Sequence, residues 1–132
     1  MPIGSPLDFI LIRSKFGNRR DPITHRWSTH QGLDLKGTSK DTVYSTGAGI
    51  IECSGWNHGY GKCIVIDHMN GYKTLYAHLS QCLVDEGTYI TDHYPIGKVG
   101  STGRSTGAHL HYEITYSNQH KDPINFIHIN LN

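Results

Sequence analysis

Apolar and polar residues alternate with a period of two over much of the chain, the spacing of half-buried strands. Leu110, Tyr112, Ile114 and Tyr116 interleave with His109, His111, Glu113 and Thr115, which predicts a strand with one apolar and one polar face. Lys62–His68 is the most strand-like run. Asn70-Gly71 then marks a hairpin turn, and Tyr72–His78 reads as the return strand, with Tyr72, Thr74, Tyr76 and His78 expected on one face. Shorter β-like runs fall at 42–45 and 49–54, and 84–99 breaks into short strands and turns around Gly87, Pro95 and Gly97. Residues 1–15 read as an irregular lead-in, Ser14–Thr24 as a strand end breaking into a turn, and Thr29–Gly37 as extended chain. Asp122-Pro123 has the form of a helix cap followed by proline, so 124–127 is expected to close the chain with a single helical turn. The pattern predicts a mainly β protein, an antiparallel sheet with little helix, formed by residues 1–132 as one domain.

Composition narrows the function. A formal charge of +1 without a basic stripe argues against nucleic acid as a partner. No stretch approaches the roughly 20 apolar residues of a membrane helix. Leu7–Ile12 is too short, and interrupted by Asp8, to be a signal-peptide core, so the chain reads as a mature domain or one exported by other means. Cys53, Cys63 and Cys82 lack C-x-x-C spacing, which disfavours a thiolate metal site. Cys53 and Cys63 could face each other across a hairpin in an oxidising compartment; free thiols are the favoured reading.

The histidines carry the candidate chemistry. On a strand, His109 and His111 project from one face, as chance neighbours on a solvated strand or as part of a metal site. His30 and Asp34, four apart, also share a face, although that spacing alone fits an ordinary surface pair. A hydrolytic zinc site uses three His, Asp or Glu ligands and keeps one position open. His30, Asp34 and His111 would supply that set, leaving His78 and His109 available to move protons. Glu113 shares the polar face with His111, either orienting it through an outer hydrogen bond or standing as a solvated carboxylate. Trp56 and Tyr60, in a glycine-rich loop, form a groove wall or cover the end of the core. His25, His58, His68, His93, His120 and His128 read as surface residues. The Ser/Thr-rich loop before His109 lacks a P-loop lysine and runs into a strand, which excludes a nucleotide site.

Phe16-Gly17-Asn18-Arg19, His30-Gln31-Gly32-Leu33-Asp34, Gly59-Tyr60-Gly61, Tyr76-Ala77-His78-Leu79-Ser80, and Gly100-Ser101-Thr102-Gly103 leading to His109-Leu110-His111-Tyr112-Glu113 occur in one order. That order resembles the lysostaphin-type (LytM-like) zinc metallopeptidases, from about Phe16 to Phe126. The resemblance implies a compact antiparallel β domain with an open substrate groove. It implies one zinc ion held by His30, Asp34 and His111, with His78 and His109 as the catalytic pair. It also implies an endopeptidase acting on bacterial peptidoglycan peptides, secreted, periplasmic, on the cell surface or carried by a virion, with any targeting domain or partner supplied from elsewhere. Some members of the family are silent modules that bind the wall or regulate other hydrolases; the presence of all five positions favours an enzyme. Members with a tyrosine shortly before the first ligand use it to stabilise the oxyanion. Thr24–Thr29 contains none, so that role has no assigned residue.

Overall fold

The structure is a computed structural model and describes residues 1–20, 24–103, 105 and 107–127. Twelve strands run along the described residues: β1 Ile12–Ser14, β2 Gly17–Arg20, β3 Trp27–His30, β4 Leu33–Lys36, β5 Thr42–Tyr44, β6 Gly49–Asn57, β7 Gly61–Asp67, β8 Tyr72–Cys82, β9 Tyr89–Ile90, β10 Pro95–Val99, β11 His109–Tyr116 and β12 Gln119–Lys121. A 3-10 turn at Pro123–Asn125 follows, capped by the Asp122 carboxylate, which accepts from the Ile124 amide. Ten strands form one antiparallel sheet, its main path β1-β4-β11-β8-β7-β6-β9, with β12 on β11 and β10 on both β5 and β8. β2 and β3 form a separate hairpin.

The expected β7–β8 hairpin is present, closed through left-handed Met69 and Gly71. The lead-in carries more structure than its sequence suggested. Its Ile12–Ser14 pairs with β4, Leu7 is buried in the core, and the Pro6 and Leu11 carbonyls accept from Tyr44 and Lys36. The segment from Ser14, read as a broken strand end, instead supplies one arm of the β2–β3 hairpin.

One face of the sheet holds the core. Leu33, Leu35, Ile64, Ile66, Tyr76, Leu110, Tyr112 and Ile114 are buried there, the apolar phase of the alternation read from sequence. Each large aliphatic side chain removed from water contributes about 1.5–3 kcal/mol, so the central strands are held in register by their inward residues. The core also contains a polar chain. Thr46 Oγ1 meets the Tyr112 hydroxyl at 2.7 Å and the Tyr76 hydroxyl at 3.0 Å; the Tyr76 hydroxyl meets Thr74 Oγ1 at 2.8 Å, and Thr74 Oγ1 meets His68 Nε2 at 2.8 Å. His68, expected at the surface, is therefore a buried structural residue; burial pulls its pKa down, which keeps the ring neutral.

β8 does not keep a single alternation. Ile64 pairs with Tyr76 but Lys62 pairs with Leu79, so β8 has one extra residue there. His78 sits in that bulge with φ +63, where a non-glycine residue costs on the order of 1 kcal/mol. The bulge turns His78 away from the core face shared by Thr74 and Tyr76. The expected four-residue face therefore ends at Tyr76.

Cys53 lies opposite Val65 and Cys63 opposite Gly55, so the two are diagonal neighbours across β6 and β7, and all three cysteines are free thiols.

The buried hydroxyl chain sets a stability test. Thr46→Val removes the hydroxyl that bridges Tyr112 and Tyr76 while keeping the side-chain shape. Chemical denaturation should show a loss of about 2 kcal/mol.

Candidate metal centre

The polar face of the sheet gathers the predicted residues. β4 and β11 pair with His111 directly opposite Asp34, and alternation puts both side chains on the face away from Leu35, Leu110 and Tyr112. Gln31 and Gly32 join β3 to β4 and bring His30 back over Asp34. One ligand atom from each of His30, Asp34 and His111 lies within 4.8 Å of the others. Asp34 Oδ1 is 2.8 Å from His111 Nδ1, and Oδ2 is 3.3 Å from His30 Nε2.

The tautomers of both imidazoles are fixed from behind. His30 Nδ1 donates to the Lys15 carbonyl at 2.8 Å, which leaves the Nε2 lone pair facing Asp34. His111 Nε2 donates to Glu113 Oε2 at 2.7 Å, which leaves Nδ1 facing Asp34. Two imidazole nitrogens and a carboxylate that converge in this way fit a small divalent cation, which would replace the proton on His111 Nδ1. Burial alone would raise the Asp34 carboxyl, but His111 and His30 outweigh it and hold it well below the usual carboxylate range. Burial also pulls His111 down, yet the carboxylates on its two nitrogens push it up to about 9. Glu113 is raised by burial and lowered further by hydrogen bonds from His111, Tyr60 and His120, so it stays ionised.

His78 and His109 stand beside this cluster, their ring centroids 4.9 Å apart. His78 Nδ1 donates to the Thr102 carbonyl at 2.7 Å, so Nε2 is its free acceptor. Burial, followed in size by the opposing Thr102 bond, lowers the His78 pKa, so the ring is neutral at pH 7. His109 Nε2 lies 3.7 Å from Asp34 Oδ1. Its Nδ1 lies 2.9 Å from the Gly107 carbonyl, which needs a proton there, and 2.6 Å from Arg13 Nη1, which only donates. Its tautomer therefore follows whichever of those two contacts it keeps.

All five residues line one open cavity of about 570 Å³, together with Arg13, Ser14, His58, Gly59, Tyr60 and Ser105. Tyr60 forms wall, as expected, and its hydroxyl donates to Glu113 at 2.7 Å. Trp56 does not line this cavity: it is exposed near the C-terminal end of β6, opposite Lys62. His58 is exposed, as expected, and also contributes to the wall.

Several supporting groups carry no signal of their own in the sequence. The Lys15, Gly107 and Thr102 carbonyls set rings that could be named, while the acceptors could not. Thr102 is itself pinned, donating to the Leu79 carbonyl at 2.6 Å and accepting from the Lys62 amide at 3.0 Å. The loop backbone approaches so closely that a Cβ on left-handed Gly61 or Gly103 would overlap the facing chain. Gly32 is the clearest missed residue, since a Cβ there would stand 2.7 Å from His111 Cε1 and 2.9 Å from Glu113 Cγ.

Residues 28–123 match the model of peptidase family M23, and the chain belongs to that family. It is 44% identical over 119 residues to the DD-carboxypeptidase/endopeptidase Mpg of Neisseria meningitidis serogroup B, covering 90% of this chain and 27% of the relative. The chain thus spans about a quarter of the length of that relative. Among solved structures, a zinc-containing peptidase from Vibrio cholerae superposes with a TM-score of 0.86 at 34% identity, over 97% of this chain and 40% of the other. The catalytic domain of lysostaphin from Staphylococcus simulans superposes with a TM-score of 0.78 at 28% identity, over 89% of this chain and 91% of that domain.

Two outcomes follow from this geometry. Gly32→Ala should displace His111 and Glu113 and reduce zinc retention at least about tenfold in a chelator competition, with the sheet preserved by circular dichroism. The second concerns pH. Folding raises His111, so its stabilisation is complete below the ordinary value of 6.5 and is lost as pH rises through about 9. Asp34 acts in the opposite sense, stabilising above its ordinary 3.8 and losing that contribution as pH falls. Metal-free protein should therefore lose on the order of 3 kcal/mol between pH 6.5 and 9, measured by calorimetry, and zinc should abolish most of that loss.

Proposed function

We propose that the chain is the catalytic domain of a zinc endopeptidase that hydrolyses peptide bonds in bacterial peptidoglycan. The observation that carries this reading is the convergence of His30, Asp34 and His111 beside two further histidines in one open cavity. Membership of family M23 and the names of its relatives support the same chemistry. The substrate places the work outside the cytoplasm, in the periplasm or at the cell surface. No described helix is long and apolar enough to cross a membrane.

His30 Nε2, one Asp34 oxygen and His111 Nδ1 would hold the ion. Zinc, when bound, supplies Lewis acidity that polarises a carbonyl and makes water easier to deprotonate. The chain's own groups do the rest. A peptide lies across the open cavity between the Arg13–Ser14 segment and the His58–Tyr60 turn. His109 takes the proton of the attacking water. His78, neutral and anchored on Thr102, faces the reacting carbonyl through Nε2. The proton that His109 takes from the water goes on to the leaving amine, directly or by way of His78 Nε2, which while it carries that proton donates to the oxyanion. The two histidines are close enough to exchange these duties. Glu113 holds the His111 ring in the ligand tautomer.

The test joins metal content to product analysis. Wild-type protein should carry one zinc per chain and release cross-link peptides from purified peptidoglycan, identified by mass spectrometry. Asp34→Ala should lose the metal. His109→Ala should keep it while cleavage falls by about 10²–10⁴-fold. Full zinc loading with no cleavage of any wall type would assign the chain to the silent wall-binding or regulatory modules instead.

A further inference from the structure

We propose that His120 is a positioning residue for the metal centre, acting through Glu113; this rests on the assignment of His111 as a metal ligand. Glu113 is only 4% exposed, and both of its oxygens are engaged. Oε2 accepts from the Tyr60 hydroxyl and from His111 Nε2, each at 2.7 Å. Oε1 accepts from His120 Nε2 at 2.8 Å, its partner among the described residues.

The division of labour between the oxygens matters. The terminal torsion of a glutamate side chain is soft. Two donors that share one oxygen leave the carboxylate free to pivot about it. A third donor on the other oxygen fixes its plane, and with it the direction in which the His111 N–H must point. His111 Nδ1 is aimed at Asp34 only while Nε2 keeps that bond. His120 thus acts on the ligand at one remove, without entering the cavity.

The fold delivers His120 to this position directly. β11 turns into β12 through Ser117 and Asn118, both left-handed with φ of 48° and 66°, the two-residue hairpin geometry whose twist matches its strands. That turn pairs Thr115 with His120, so His120 shares a face with Glu113 and lies diagonally across from it. The hairpin folds the continuation of the ligand strand back over its own supporting carboxylate. His120 remains about one-third exposed and covers the solvent side of a nearly buried anion.

The test compares two side chains of similar size at position 120. Zinc alone is titrated against a chromophoric chelator with wild type, His120→Gln and His120→Leu, and ¹⁵N spectra follow the hydrogen bonding of the two His111 ring nitrogens in the metal-free proteins. His120→Gln retains an N–H for Oε1 and should bind zinc within a few-fold of wild type. His120→Leu should bind about tenfold more weakly, the scale of lost outer-shell support, and shift the His111 nitrogen resonances. Thermal melts of the metal-free proteins identify any general loss of folding, and if His120→Leu does not fold, His120→Ala takes its place in the same comparison. Equal zinc affinity in the glutamine and apolar variants, with an unshifted His111, overturns the proposal. Failure of wild type to bind zinc overturns the metal-centre reading itself.

Discussion

The pairing of β4 with β11 is the constraint on which the rest of the site depends. It sets Asp34 opposite His111, and it does so because Leu33, Leu35, Leu110, Tyr112 and Ile114 must all face the core. A slip of one residue would turn those side chains toward solvent and drive Asp34, His111 and Glu113 into the apolar layer. The hydrophobic register and the register of the candidate metal site are therefore one choice. Any mutation that loosened the apolar phase would also misplace the proposed ligands.

That choice carries an electrostatic cost. Asp34 and Glu113 are two largely desolvated carboxylates flanking a single imidazole. Burying anions is unfavourable unless cations or donors compensate. Without a metal, the proton on His111 serves both carboxylates and leaves the trio one charge short of neutrality. A divalent ion in place of that proton balances the two carboxylates. A cation bound there as proposed would be held for the same reason that the imidazole holds a proton so tightly, and the two would compete for one lone pair.

Much of this was legible in sequence because strands and metal chemistry both leave periodic traces. The alternation around His109 and His111, the Asn70-Gly71 turn and the Asp122-Pro123 cap all carry local signals, and the structure has these elements. His30 and Asp34 do meet, but through the break at Gln31 and Gly32 that folds His30 back and not through a shared face of one continuous strand. What failed was local regularity. His78 leaves the face its spacing predicted because β8 gains a bulge where it passes from β11 to β10, a tertiary event that no two-residue period encodes. Residues 12–14 become a strand only because β4 offers an edge to pair with. Trp56 looked like a groove wall beside Tyr60, yet three residues of strand and turn separate them and only Tyr60 lines the cavity.

The orienting groups were the least visible part, for a physical reason. His30 is aimed by the Lys15 carbonyl and His78 by the Thr102 carbonyl, and every residue type carries a carbonyl. Their sequence trace is indirect and lies in the glycines that let the backbone come close. Gly61 and Gly103 press the loop against the β6–β7 turn, and Gly32 leaves room for the His111 ring. The glycines near these histidines are thus the record of acceptors that have no letter of their own. An invisible carbonyl must be reached by a nearby backbone, and close backbone approach is what the absence of a Cβ permits.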